Sequence, residues 1–178
     1  MPSWKIHRYF ANKIGIRPEI SERVDRIIDL ENEFKGYKIG HDWVKGNMGR
    51  FVLATELFYE EFGIDGVKAM LMHGALDYID QLLKRNFPRN EILWRALAWV
   101  KFCGARHVIR YISHLSDSER LKWVEKQEFN YYEYLKIRGT AIEEIVKAAR
   151  EVISFIAQNF DEILEMIKRT PNRRLASK

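Results

Sequence analysis

Apolar positions recur along this chain at intervals of three and four residues, between glycines and prolines that cut it into helix-length pieces. Ser3 can cap a first helix through Lys13, with Trp4, Phe10 and Ala11 among its apolar residues, and Gly15 ends it. Pro18 suits the first turn of a second helix, on which Ile20, Val24, Ile27, Ile28 and Phe34 fall near one face. Gly36 and Gly40 bracket a loop. A third helix starts near His41 and carries Phe51, Leu53, Ala54, Leu57 and Phe58 toward Phe62, where Gly63 stops it. Asp65 can cap a fourth, which runs to the region of Arg85 through Met70, Leu71, Leu76, Ile79 and Leu83. Beyond Phe87-Pro88 a fifth helix extends from Asn90 to the region of His114. Ser116 with Glu119 and Thr140 with Glu143 have capping-box spacing, and each pair opens a further helix. The last is long and amphipathic, from Ile142 to Ile167. No alternating stretch is long enough for a strand, and there is no internal repeat. The pattern predicts an all-α fold, one compact helical domain of about seven helices over residues 1–168. Residues 169–178 carry no apolar period and read as a flexible basic tail.

Composition narrows the class. A chain of 178 residues, 47% apolar and with five tryptophans, is long enough to bury a core without covalent staples. Cys103 is the one cysteine, which excludes an internal disulfide and fits a reducing compartment. No run of about 18 apolar residues is present, so no membrane span is expected. The segment MPSWKIHRYF lacks the apolar stretch and cleavage site of a signal peptide, and the expected location is cytoplasmic. Thirty Lys/Arg against 25 Asp/Glu give a formal charge of +5, a mild bias toward anionic ligands.

Candidate chemistry lies with the histidines, at 7, 41, 73, 107 and 114 on different predicted helices. A bundle core can gather such dispersed side chains into one site. In MHGALDYID, His73, Asp77 and Asp80 stand at i, i+4 and i+7 and share a helical face, so His73 and Asp77 can hold a divalent cation together. Lys84 follows Asp80 at i+4, which reads as a solvated ion pair. His107, Arg110 and His114 repeat the spacing in RHVIRYISH, where with Arg106 they can cradle an anion or face solvent as a polar stripe. His7, one turn past Trp4, reads as a hydrogen-bonded core histidine unless it partners His41. At the opening of the third helix, His41 and Asp42 can chelate one ion, and Lys45 can meet a phosphoryl oxygen.

His41-Asp42-Trp43-Val44-Lys45 resembles the His-Asp-x-x-Lys signature of the HD-domain metal-dependent phosphohydrolases. The resemblance implies an HD-like helical bundle over residues 1–117, with 118–168 as additional C-terminal helices. It also implies a first histidine on an early helix, which His7 matches, and a later aspartate, for which Asp77 and Asp117 are the candidates. The cofactor implied is one or two divalent ions (Mn, Ni, Co, Fe, Zn or Mg), held by His7, His41, Asp42, His73 and Asp77. Asp42 and Lys45 then take the catalytic roles, and Arg106, His107, Arg110 and His114 bind substrate. A fainter similarity is to the zinc-dependent phospholipase C and P1-type nuclease group.

The function expected on this reading is metal-dependent hydrolysis of a phosphate ester, with a phosphorylated small molecule or a nucleic acid as partner. The alternative is a non-catalytic helical protein that binds a partner chain or nucleic acid, as a homo-oligomer or otherwise. Its features are the aromatic and basic segment EFNYYEYLKIR, the amphipathic last helix and the basic tail.

Overall fold

The computed structural model describes residues 2–31, 33–40, 48–102, 104, 106–129 and 140–170; the side chains of Met48, Arg106, His107 and Thr140 are outside that description. The fold is all-α, with eight helices and one two-stranded hairpin among the described residues. The expected third-helix start at His41 lies outside the described residues, as do Asp42 and Lys45.

Helix α1 (Trp4–Lys13) turns Ile6, His7, Phe10 and Ala11 inward. Gly15, at φ +84°, ends it in a conformation that L side chains rarely adopt, and its amide N–H reaches back to Asn12 O at 3.0 Å. Helix α2 (Pro18–Arg26) opens on its proline, whose missing N–H costs nothing in the first turn. It buries Ile20, Ser21, Val24 and Asp25, then widens into a π turn over Ile27–Glu31. The expectation that this helix carries Phe34 is corrected: Phe34 belongs to strand β1 (Glu33–Phe34), paired antiparallel with β2 (Tyr37–Lys38). Lys35 (φ 49°) and Gly36 (φ 81°) make the two-residue turn, both in the left-handed region that such hairpins require. Phe34 stacks on Phe58 and Phe62, with ring centroids 5.5 and 6.1 Å away.

Helix α3 (Met48–Lys84) is interrupted where the sequence predicts, at Gly63 (φ 63°, ψ −152°). Its second half lies close against α4 (Arg89–Lys101), because Gly74 has no side chain: a Cβ there would stand 2.2 Å from the ring of Trp99. The expected fifth helix divides in two, since Gly104 (φ 78°) breaks the path between α4 and α5 (Arg106–Tyr111). An isolated glycine inside a helical period is tolerated at a cost of about 1 kcal/mol relative to alanine, and here the backbone turns instead. Helix α6 (Asp117–Lys126) begins at the expected box, where Glu119 accepts the backbone N–H and the hydroxyl of Ser116 at 2.8 and 2.7 Å. Buried Lys101 donates to the last carbonyls of α6, Val124 O at 2.7 Å and Glu125 O at 3.0 Å.

The expected long final helix is also two, α7 (Thr140–Gln158) and α8 (Phe160–Arg169), which meet at Asn159. The Asn159 side chain donates to Phe155 O at 2.8 Å, so it satisfies a carbonyl of α7 while the chain turns. Helix α7 packs on both α3 and α4, burying Ile145, Ala149, Val152 and Ile156. One continuous apolar cluster joins all of these helices, from Ile6 to Ile167. No helix of the described residues is long and apolar enough to cross a membrane.

Candidate metal centre

Three helical segments bring polar side chains together in the interior: His7 from α1, Asp25 and Asp29 from α2 and its π turn, and His73 and Asp77 from α3. His7 and His73 are each only 2% exposed, and Asp25 equally so. On α1, His7 lies between the inward positions of Ile6 and Phe10, so the packing that buries those residues carries the imidazole in with them. Asp25 is carried in the same way between Val24 and Ile28. His73 and Asp77 stand one turn apart on the buried face of α3, as their spacing predicts.

The imidazoles of His7 and His73 lie 4.1 Å apart between centroids, tilted by 48°. Nδ1 of His73 meets Asp25 Oδ1 at 2.7 Å. Its other nitrogen, Nε2, faces Asp29 Oδ1 at 3.2 Å and Asp77 Oδ2 at 3.5 Å. His7 Nε2 stands 3.3 Å from Asp77 Oδ1, and His7 Nδ1 is 3.7 Å from Asp25 Oδ1. Neither ring nitrogen of His7 makes a hydrogen bond, and neither does Asp25 Oδ2. Buried polar atoms are almost always satisfied, so these three atoms mark a position where something polar belongs. The other Asp29 oxygen, Oδ2, accepts the indole N–H of Trp4 at 2.5 Å.

Electrostatics point the same way. Burial alone pushes the His73 imidazolium toward losing its proton, but hydrogen bonds to Asp25, Asp29 and Asp77 outweigh it and hold the pKa well above the ordinary histidine range. Three carboxylates thus draw positive charge into the interior. One ligand atom from each of His7, Asp29 and His73 lies within 4.8 Å of the others, a spacing at which the three could hold one metal ion. With bonds of about 2.0–2.2 Å, imidazole nitrogens and a carboxylate oxygen around a single divalent ion fall within that separation.

Of the residues singled out from sequence, the fold gathers His7, His73 and Asp77. Asp117 sits elsewhere in function: its Oδ1 accepts the Trp94 indole N–H at 3.0 Å and Arg120 Nη1 at 3.2 Å, tying α4 to α6. Asp80 differs from expectation, for it is 6% exposed and not a solvated residue, although it does pair with Lys84 at 2.5 Å. Arg110 and His114 are exposed, on α5 and in the turn after it. Arg106 and His107 begin α5, and His41, Asp42 and Lys45 lie outside the described residues.

Asp25 and Asp29 were not singled out, because in SERVDRIIDLENEF they read as the charged side of an amphipathic helix. One signal was available: Asp25 falls on the helical wheel beside Ser21 and Ile28, at the border of the apolar stripe. Comparison with protein-family models, with curated proteins and with solved structures finds no match to this chain.

Proposed function

We propose that this protein is a metal-dependent hydrolase of phosphate esters, with its ion held by His7, Asp29 and His73. The observation that carries this reading is the convergence of two imidazoles and three carboxylates in a nearly dry interior, two of the imidazole atoms being without a hydrogen bond. Burying carboxylates is costly, and three drawn together repel one another unless positive charge lies among them. A divalent ion held by His7, Asp29 and His73 would supply that charge, and the chemistry it would bring is Lewis-acid activation of a phosphoryl oxygen and of a water. Three protein ligands leave room for such a water, the arrangement of catalytic and not structural sites.

Asp77, within 3.5 Å of a nitrogen of each histidine, is the side chain placed to accept the proton that the attacking water gives up. Asp25 holds His73 with Nε2 directed at the group. The phosphate ester as substrate is supported by the formal charge of +5 and by the HD-type segment with Lys45, which leads into the helix that carries His73 and Asp77.

The near-complete burial of both histidines favours a second reading, in which Asp77 is a fourth ligand and the ion is a structural staple. One experiment separates the two. Protein purified without chelator is subjected to elemental analysis and assayed on p-nitrophenyl phosphate mono- and diesters with added Mn²⁺, Ni²⁺ or Co²⁺, beside Asp77→Asn. Bound metal with turnover, and an Asp77→Asn protein that keeps the ion but loses the turnover, is the expected result. Bound metal without turnover on any ester establishes the staple, and a protein that binds no ion ends both.

A further inference from the structure

We propose that Trp4 is a positioning residue that biases Asp29 toward coordination through one oxygen and so favours a small d-block ion over calcium; this rests on the metal centre described above. The two oxygens of Asp29 have separate partners. Oδ2 accepts the Trp4 indole N–H at 2.5 Å, while Oδ1 faces His73 Nε2 at 3.2 Å. A carboxylate whose second oxygen already accepts a hydrogen bond from an ordered indole is oriented to offer an ion its other oxygen, and chelation through both is disfavoured.

That distinction bears on which cation fits. Calcium takes six to eight oxygens, often including a bidentate carboxylate, and magnesium asks for six ligands, nearly all oxygen. Zinc, cobalt and their neighbours accept few ligands and favour imidazole nitrogen. With His7 and His73 supplying nitrogen and Asp29 held to a single oxygen, the group suits the second class.

Trp4 is itself fixed. The guanidinium of Arg8, one turn along α1, lies 5.5 Å from its ring centroid, and Arg8 Nη2 pairs with Glu22 of α2 at 3.2 Å. The same two helices carry His7 and Asp29, so the indole is held by the elements whose ligands it orders. Asp25 does for His73 what Trp4 does for Asp29: by taking Nδ1 it leaves Nε2 as the coordinating atom. Trp4 therefore completes a set in which two of the three ligands have their coordinating atom chosen by a neighbour.

The test uses the full chain, with Co²⁺, Zn²⁺, Ca²⁺ and Mg²⁺ alone as probes, in wild type and Trp4→Phe. Phenylalanine keeps a ring beside Arg8 and removes the donor, with a smaller side chain whose packing cost the metal-free melting temperature reports. Wild type is expected to bind Co²⁺ and Zn²⁺ and to keep them against excess Ca²⁺. Trp4→Phe should bind Co²⁺ about 10–100-fold more weakly, the range for loss of an outer hydrogen bond. It should also hold Ca²⁺ relatively better, with a Co²⁺ visible spectrum shifted toward higher coordination. Equal Co²⁺ affinity and an unchanged spectrum in the two proteins would overturn the role of Trp4 and leave the metal centre standing. Equal weakening for all four ions, with a lowered metal-free melting temperature, would also overturn it, as a packing role. A wild type that takes up neither Co²⁺ nor Zn²⁺ removes the metal centre and this inference with it. If Trp4→Phe does not fold, wild type decides by nitrogen-15 spectra of its five indole groups. One indole N–H must be displaced downfield without metal and broadened by Co²⁺; five unaffected signals overturn the proposal.

Discussion

Replacing Asp29 by asparagine should separate the cost of the buried charges from the benefit of the ion. The substitution keeps the side chain's shape, and the amide oxygen can still accept the Trp4 N–H where Oδ2 does now. It removes one of three crowded carboxylates and, with it, one hydrogen-bond partner of the His73 imidazolium; the two effects oppose, so metal-free Asp29→Asn should stay close to metal-free wild type in stability. The metal-bound proteins should differ widely. At free metal 100-fold above Kd, binding adds about 2.7 kcal/mol to the folded state. In a chain of this size each kcal/mol moves Tm by about 2–4 °C, so wild type should rise by about 5–11 °C. Loss of a charged ligand weakens binding by about 100-fold or more, at least the upper end for an outer-sphere change. The remaining stabilisation at the same metal concentration is then about 0.4 kcal/mol, or about 1–2 °C. Differential scanning fluorimetry with Zn²⁺, Co²⁺ and Mn²⁺, each against a chelated control, measures both shifts. Equal rises in the two proteins would place the ion elsewhere and refute the assignment of His7, Asp29 and His73.

Three further outcomes follow from the same structure. Because the His73 pKa is raised in the fold, its contribution to stability is full below the unfolded value of about 6.5 and is lost as pH rises through the raised value. Metal-free protein should therefore lose Tm as pH climbs above about 6.5, while metal-saturated protein, in which the ion has displaced that proton, should not; parallel curves would contradict this. Gly74→Ala would set a Cβ 2.2 Å from the Trp99 ring, and the forced separation of α3 from α4 should cost about 1–3 kcal/mol in urea denaturation. Asp80→Ala should cost about 1–3 kcal/mol, as for a buried charged hydrogen bond, and not the few tenths of a solvated pair; a loss within a few tenths would show that its ion pair with Lys84 is energetically a surface one.

Much of the fold was legible because its boundaries rest on local chemistry. Gly15 and Gly63 stop helices where the backbone must leave the helical region, and Ser116 with Glu119 satisfies a helix start from within four residues. The breaks at Gly104 and Asn159 were not legible, since an apolar period of three and four continues across both. The site divides in the same manner. His73 and Asp77 share one helix, so their spacing alone shows that they face together. Asp25 and Asp29 face the histidines only through the packing of α2 on α3, and the hairpin at Glu33–Lys38 was hidden because strands of two residues have no period to detect. For His41, Asp42 and Lys45, outside the described residues, the pattern in the sequence is all there is to read.

The π turn at Ile27–Glu31 has a consequence for how this centre can change. A π turn holds more residues than the α turn it replaces, so backbone length, and not side-chain choice, sets the direction in which Asp29 points. Substitutions around it adjust the centre by degrees, each ligand strengthened or weakened in place. Removing a single residue within the turn acts differently: it would restore ordinary helical winding and swing the carboxylate away from His73, while Asp25 and the apolar face before it stayed where they are. The position of Asp29 is thus set by the number of residues in one short stretch as much as by their identity.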